Sequence, residues 1–578
     1  MPHTPTPAKG IYPEYPAEII SDIREMFLAS TEKFADKVAL QSKKSGAWIP
    51  ITYRELRTAV EEVAGGLAAL GLRPSVSKLA IVGDNRPEWA VCYLAAACMG
   101  IICVPIDRDL RETEVSSILG ISGVQALIGD HKHMEMVLGL RSKIAGLKDV
   151  VNMDEGDELE GVIGFSELRR LGRDRLAAAK RDFDEGNVSG DDLLMILFTS
   201  GTTGNPKGVM LTHLNVASNI VDAAKWVDLN TEDRFLSILP MHHSYECTTG
   251  FLLALYLGAT TSYAENLRRI AQNMAETRST AVLGVPLLWH ALYAKIEAAM
   301  RTEGMRKVRA AKKLAVCSER LLGLNIRRRL FSKLHKNFGG HLRILVSGGA
   351  AIDPEVAKGF RELGIIFLQG YGLTESAPII AVNRNRAYRD NAAGLPLPSM
   401  DVKIAEDGEI LARGPNIMKG YYNNPEGTRE VLENGWLRTG DLGYIDKDGF
   451  LYIRGRKKSV IVTSAGKNIY PEEVESQILK SPLISECLVW AEQADNPGQE
   501  TVIEAIVVPD MEHFKKTGAG DAVRGPEVEE LIRKEVKERC RELAPFKRIA
   551  RLTVKYEELE KTTTKKVKRY LYTGKGAK

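Results

Sequence analysis

The stretch Phe198 to Gly208, FTSGTTGNPKG, sets three threonines, a serine, three glycines and a lysine behind the apolar run Leu193 to Leu197. Glycine lets a backbone approach a ligand closely and aim its N–H groups inward, while hydroxyls and an ammonium add donors. Thr199, Ser200, Gly201, Thr202, Thr203, Gly204 and Lys207 therefore have the composition of a loop that wraps an anion. They do not have the kinase or GTPase spacing. That motif needs lysine straight after glycine and a hydroxyl straight after lysine, whereas here Asn205 and Pro206 intervene and Gly208 fills the hydroxyl position. A flexible Gly/Thr surface turn would look the same, so the loop alone leaves both readings open.

Such a loop needs rigid elements to hold it. Leu193 to Phe198 predicts a buried strand leading into it. Similar short apolar runs recur at 78–82 (KLAIV), 235–239 (FLSIL), 281–285 (AVLGV), 342–346 (LRILV) and 365–369 (IIFLQ), with helical stretches such as DPEVAKGFREL (353–363) between them. Thr52 precedes Leu56, Val60, Val63, Leu67 and Leu70, a spacing that predicts an N-capped amphipathic helix. This alternation argues for an α/β fold, layered with largely parallel sheets. From about residue 394 turn signals come faster, as expected of a small antiparallel β subdomain. After a charged connector at 456–459, Pro471-Glu-Glu opens a helix, LVW and TVIEAIVV read as strands, and a long helix is expected near 526–543. The expected domains are 1–456, large and N-terminal, and 457–578, small, mobile and α+β.

Length and composition agree with this division. A chain of 578 residues exceeds one ordinary core, and 44% apolar with 27% charged residues is a soluble globular composition. A net charge of +4 does not call for nucleic acid. The seven cysteines are scattered, with no Cys-x-x-Cys pair, which favours a reducing compartment and a cytoplasmic location. The N-terminal MPHTPTPAKGIYPEYP lacks the apolar core of a signal peptide. Trp89 to Ile106 holds no charge for 18 residues, the lower limit for a membrane span, but Gly100 divides it into an Ala-rich half and a β-branched half. A buried helix followed by a buried strand is expected there.

Several stretches together resemble the adenylate-forming superfamily of acyl-CoA synthetases, luciferases and peptide-synthetase adenylation domains. They are FTSGTTGNPKG, SGGA (347–350), QGYGLTES (369–376), GEILARGP (408–415), GWLRTGDLGYIDKDGFLYIRGRKK (435–458), GKNIYPEEVE (466–475) and KTTTKKVKR (561–569). They occur in the superfamily's order. The resemblance implies ATP, Mg²⁺ and CoA as cofactors and cosubstrates: a carboxylate attacks the α-phosphate, pyrophosphate leaves, and the acyl-adenylate passes its acyl group to a thiol. It makes Thr199 to Gly208 the triphosphate clamp, with Glu375 and Thr202 as Mg²⁺ ligands, since hard cations take oxygen donors. It assigns Gly348, Gly349, Ala350, Gly370, Tyr371, Gly372 and Thr374 to the nucleotide slot, Tyr371 stacking on adenine. Asp441 would hold the ribose, Arg456 the ribose or α-phosphate, and Lys458 the hinge. In the tail, Lys566 takes the catalytic position although Lys565 stands where glycine is usual; Gly466 marks the turn used in the CoA step.

For the acid, Pro240-Met241-His242-His243 aligns with the motif whose last histidine lines the acyl pocket, so His243 is the candidate. A peptide-synthetase would want an aspartate close behind it to anchor an amino group, and Glu246 is the only acid between Leu236 and Ala264. The LPMHHSYECTTG segment and the long interval to SGGA resemble the long-chain fatty acid branch, so a fatty acid is the expected substrate partner. Within that interval, Arg301 to Lys336 carries twelve Lys/Arg against two acids, interleaved with leucines. This is either a solvated helical face or a surface for anionic lipid at the inner membrane face. Oligomeric state is left open. The rival readings are a fatty acyl-AMP ligase loading a carrier protein, for which the insertion expected near the domain junction is missing, and a non-catalytic protein that binds acyl groups or nucleotides.

Overall fold

A computed structural model of the chain describes residues 14–156, 159–175, 188–199, 206–463, 467–492, 502–516, 525–561 and 567–573. The chain falls into two compact units. The first comprises 1–402, 412–437 and 446–451; the second comprises 403–411, 438–445 and 452–578.

Two large sheets organise the first unit. One runs Gly420–Tyr421, Lys207–Thr212, Leu193–Thr199, Ile102–Ile106, Lys78–Val82, Ala126–Gly129, Asp149–Asn152, Ile163–Gly164. Its interior pairings from Ile102–Ile106 onward are parallel, while Lys207–Thr212 returns antiparallel on Leu193–Thr199. The other runs Leu395–Pro396, Ile379–Val382, Ile366–Gly372, Ile344–Ser347, Ala281–Gly284, Arg234–Ser237, Thr260–Tyr263, Val38–Lys44, Ala47–Thr52. Its central pairings are parallel too. The α/β reading with largely parallel sheets holds.

Local chemistry explains the elements. Thr52 and Glu55 form a reciprocal capping box at the head of helix Tyr53–Ala69, and Leu56, Val60, Val63 and Leu67 are fully buried on its inner face. That helix crosses helix Phe165–Asp174 with almost no gap. A Cβ on Gly172 would stand 1.7 Å from the Glu62 carbonyl oxygen, and one on Gly66 2.3 Å from the Leu168 carbonyl oxygen. The charge-free 89–106 segment divides as expected, into helix Pro87–Cys98 and strand Ile102–Ile106. Among the described residues no helix is long and apolar enough to cross a membrane. All seven cysteines are free thiols.

One strand contains a residue that strands usually exclude. Pro105 pairs with Ile81 on one side. Towards Leu193–Thr199, the register among the described residues is the single pair Cys103–Met195, ahead of the proline. Proline gives no amide hydrogen to a ladder, and past this point the two strands border an open pocket.

A five-stranded sheet follows, ordered Asp401–Ile404, Glu409–Arg413, Trp436–Ile445, Leu432–Glu433, with Leu451–Arg456 paired to Trp436–Ile445. The second unit has its own core, Ile469, Val474, Ile478, Val489, Val507 and Ile532 among its members. There helix Pro471–Ile478 begins at its proline with Glu472 and Glu473 in the first turn, and helix Pro526–Arg539 follows the paired strands Ile484–Glu492 and Val502–Pro509.

Candidate active site

In the first unit the expected residues gather at the carboxyl ends of parallel strands, where open α/β sheets leave a crevice for ligands. Gly348, Gly349 and Ala350 follow strand Ile344–Ser347, and Gly370, Tyr371 and Gly372 end its neighbour Ile366–Gly372, the pair being in register at Ser347–Gln369. Two of the glycines, Gly348 and Gly372, leave no room for a side chain. A Cβ on Gly348 would meet the Tyr245 ring at 2.9 Å, and one on Gly372 would lie 1.8 Å from the Pro378 carbonyl oxygen. Thr374 and Glu375 sit in the short turn just beyond, Thr374–Ser376. Ser376 ties that turn by accepting from the Leu373 amide at 3.0 Å and donating to the Pro378 carbonyl at 2.6 Å. Asn416 donates to the carbonyls of Ser376 and Ile379.

The anion loop is held at both ends. Thr199 and Lys207 face each other as the last register pair of an antiparallel hairpin. Ser200, Gly201, Thr202, Thr203 and Gly204 lie outside the described residues. Strand Gly420–Tyr421 adds to the outer edge of the hairpin, Tyr421 opposite Val209. This places the Tyr421 ring 4.8 Å from the Lys207 ammonium, and the Tyr421 hydroxyl donates to Glu375 Oε1 at 2.8 Å. Tyr421 was not anticipated from the sequence; its only signal is an aromatic pair, Tyr421-Tyr422, in a turn-rich stretch.

His243 follows strand Arg234–Ser237, in a turn where its amide donates to the Pro240 carbonyl. Asn85 staples this turn across the two sheets, donating to the Leu239 carbonyl at 2.6 Å and accepting from the Met241 amide at 3.0 Å. His242 is buried, its Nε2 3.2 Å from Asp107 Oδ1, and its ring is 4.3 Å from that of His243. One pocket joins Thr199, His243 and Thr374, with Leu110, Ile118 and Phe198 on its apolar wall. Glu246 does not reach it as a charged group. It is fully buried in the wide helical turn Tyr245–Leu252, and burial, outweighing the neighbouring Ser237 hydroxyl, pushes its carboxyl up to about 8. A carboxyl held neutral by burial presents no charge to an ammonium group.

Two donor sets could hold a metal. Glu375 offers carboxylate oxygens, which fit Mg²⁺. Asp107, His242 and His243 each bring a ligand atom within 4.8 Å of the others, but two imidazoles suit a softer cation than magnesium.

In the second unit, Asp441 is buried and its Oδ1 lies 3.0 Å from Arg456 Nε. Arg456 also donates to the Thr439 carbonyl at 3.3 Å, and Gly440 turns between them with a φ of +71°. Lys458 is exposed in the turn Lys457–Ser459. Gly466 and Lys566 lie outside the described residues, as does Lys565. What frames Lys566 is visible: Lys561 and Val567 form an isolated antiparallel bridge. Beyond it Arg569 donates to Glu475 Oε2 at 2.5 Å and to the Val489 carbonyl at 3.1 Å. Arg569 thus ties the end of the KTTTKKVKR segment to the helix Pro471–Ile478, which the GKNIYPEEVE segment opens.

Comparison with known proteins places the chain in a family. Residues 27–422 match the model of a family described as AMP-binding enzyme. The chain is 30% identical over 504 residues to long-chain-fatty-acid–CoA ligase FadD15 of Mycobacterium bovis, covering 83% of this chain and 80% of that protein. It is 31% identical over 473 residues to feruloyl-CoA synthase of Amycolatopsis sp., covering 79% and 84%. The fold superposes on that of the anthranilate CoA ligase AuaEII in complex with anthranoyl-AMP, at a TM-score of 0.75 and 20% identity over 98% of both chains. The chain belongs to the AMP-binding enzyme family, in the general class of adenylate-forming acid–CoA ligases.

Proposed function

We propose that the protein activates a long-chain fatty acid with ATP, forming acyl-AMP and pyrophosphate, and then transfers the acyl group to the thiol of CoA. The observation that carries the reading is the pocket in which Thr199, from the anion loop, and Thr374, beside Glu375, meet His243 opposite an apolar wall. Two anions must meet in the first step. Lys207 and the loop after Thr199 neutralise the leaving phosphates, and Glu375, oriented by Tyr421, holds the cation that a triphosphate brings. That Mg²⁺, with Glu375 and Thr202 as its protein ligands, supplies positive charge against the phosphate oxygens. Tyr371 and the glycines at 348, 349, 370 and 372 receive the adenine, Asp441 and Arg456 the ribose and α-phosphate, and His243 borders the acid. Lys566 serves the first step and the Gly466 turn the second, with Lys458 at the hinge.

Similarity to FadD15 and to feruloyl-CoA synthase is nearly equal, so identity does not choose the acid. The neutral Glu246, which presents no charge to an ammonium group, disfavours an amino acid. The deciding experiment is pyrophosphate release with saturated acids from acetate to palmitate-like lengths and with ferulate, each with and without CoA. Activity is expected to rise with chain length and to give acyl-CoA. A preference for acetate or ferulate would overturn the fatty acid reading. A second reading concerns the acceptor: similarity to the Arabidopsis thaliana long-chain-fatty-acid–[acyl-carrier-protein] ligase AEE15, 27% over 571 residues, is tested by offering carrier protein in place of CoA.

A further inference from the structure

We propose that the helix Met305–Leu322 and the turn after it form a docking surface for a bilayer containing anionic lipid. The helix buries Val308, Ala315 and Ser318 on one stripe. Arg306, Lys313 and Arg320, spaced by seven, lie on the opposite face with Arg309, all exposed. The single acid on the helix, Glu319, is held by Arg327 at 2.5 Å. The cationic face therefore keeps its charge.

Apolar side chains stand beside these cations. Leu321 is 80% exposed, Leu322 69%, Leu324 56% and Leu314 54%. Among the described residues, six of the nineteen large exposed apolar side chains fall in the twenty positions 305–324. Water alone gives no reason for that concentration. The leucine turn is also built. Gly323 closes the helix in the left-handed region at φ +67°, and Ser318 Oγ donates to the Leu324 carbonyl at 3.0 Å.

Charge selects the occupant. A face with Arg306, Arg309, Lys313 and Arg320 exposed, and its one neighbouring acid already paired, repels a second copy of itself, whereas it complements phosphate headgroups, with the leucines entering the acyl boundary. Arg327, Arg328 and Lys312 are not part of the surface. Arg327 is taken by Glu319, and Arg328 donates to the carbonyls of Leu342 and Gly340, while Lys312 pairs with Glu362 at 2.7 Å. This surface is independent of which acid the enzyme activates.

The test is sedimentation of the full chain with vesicles of phosphatidylcholine alone or mixed with phosphatidylglycerol, at low and high salt. Binding is expected only to the mixed vesicles and is lost at high salt. Replacing Arg306, Lys313 and Arg320 together by alanine lowers the partition coefficient by about a hundredfold. Leu321→Ser with Leu322→Ser lowers it by about tenfold or more. Pyrophosphate release and circular dichroism stay at parental values in both variants, because every altered side chain is exposed. Absence of vesicle binding by the parent, equal binding to phosphatidylcholine alone, or binding unchanged in both variants overturns the proposal. So does a concentration-dependent dimer, without vesicle binding, that the leucine changes abolish.

Discussion

The Tyr421 hydroxyl donates to Glu375 Oε1 at 2.8 Å while the face of the same ring covers the Lys207 ammonium at 4.8 Å. One side chain thus orients the carboxylate assigned to the metal and the cation assigned to the phosphates. Tyr421→Phe keeps the ring and removes the donor. Pyrophosphate release should fall by roughly tenfold, the worth of a hydrogen bond to a charged group, with a higher Mg²⁺ requirement. Glu375→Gln should cost more, since an amide neither neutralises nor ligates as well. A Tyr421→Phe enzyme with parental Mg²⁺ dependence would separate the two residues functionally.

The two half-reactions should come apart by mutation. Lys566→Ala should nearly abolish acyl-AMP formation yet convert supplied acyl-AMP and CoA to thioester at close to the parental rate. Gly466→Leu should do the reverse. Arg569→Ala releases the anchor on Glu475 and should slow the first half-reaction without touching the second. If Lys565→Ala alone stops adenylation, the register of the tail is shifted by one; if all variants slow both steps equally, the division of labour fails.

Stability should carry the signature of Glu246. Its carboxyl, pushed by burial to about 8, keeps its proton in the folded chain, whereas the unfolded chain loses it near 4.5. Between these values unfolding releases a proton, so stability falls as pH rises, by up to about 1.4 kcal/mol per pH unit. Glu246→Gln removes this contribution. Denaturant unfolding across pH 5 to 8 should show a shallower slope in the variant; parallel slopes would mean that the carboxyl ionises in place.

The crossing of Tyr53–Ala69 and Phe165–Asp174 offers a steric test. Gly172→Ala puts a methyl against the Glu62 carbonyl and should destabilise the protein by roughly 1–3 kcal/mol. Urea unfolding measures this, and an unchanged midpoint would show that the helices part easily.

Much of this was legible in the residues. The apolar runs located the parallel strands near the site, because buried parallel strands need uninterrupted apolar chains, whereas the short antiparallel strands Lys207–Thr212 and Gly420–Tyr421 carry no such run and were not anticipated. Ends were less legible. The run 235–239 stops as a strand at Ser237, since Asn85 captures the Leu239 carbonyl and the Met241 amide from another sheet. The run 281–285 stops as a strand at Gly284, since Val285, still extended, caps the helix that Pro286 opens. Glu375, His243 and Asp441 were assigned through motifs that resemble those of the superfamily. Tyr421 and Asn85 were missed because their roles depend on partners 46 and more than 150 positions away. Local pattern does not carry such separations. For Arg327 and Arg328 the sequence showed charge but not that both side chains were already occupied.

Pro105 gives the pocket a main-chain feature that side chains alone would not supply. It lines the pocket beside Leu197, Phe198 and Thr199 and brings to it an imino nitrogen with no hydrogen to share. The residues lining that pocket can then be exchanged for larger, smaller or more polar ones without the sheet zipping shut. In the proposed reaction, a change of acid would then ask for new lining residues and leave the strands that carry them as they are.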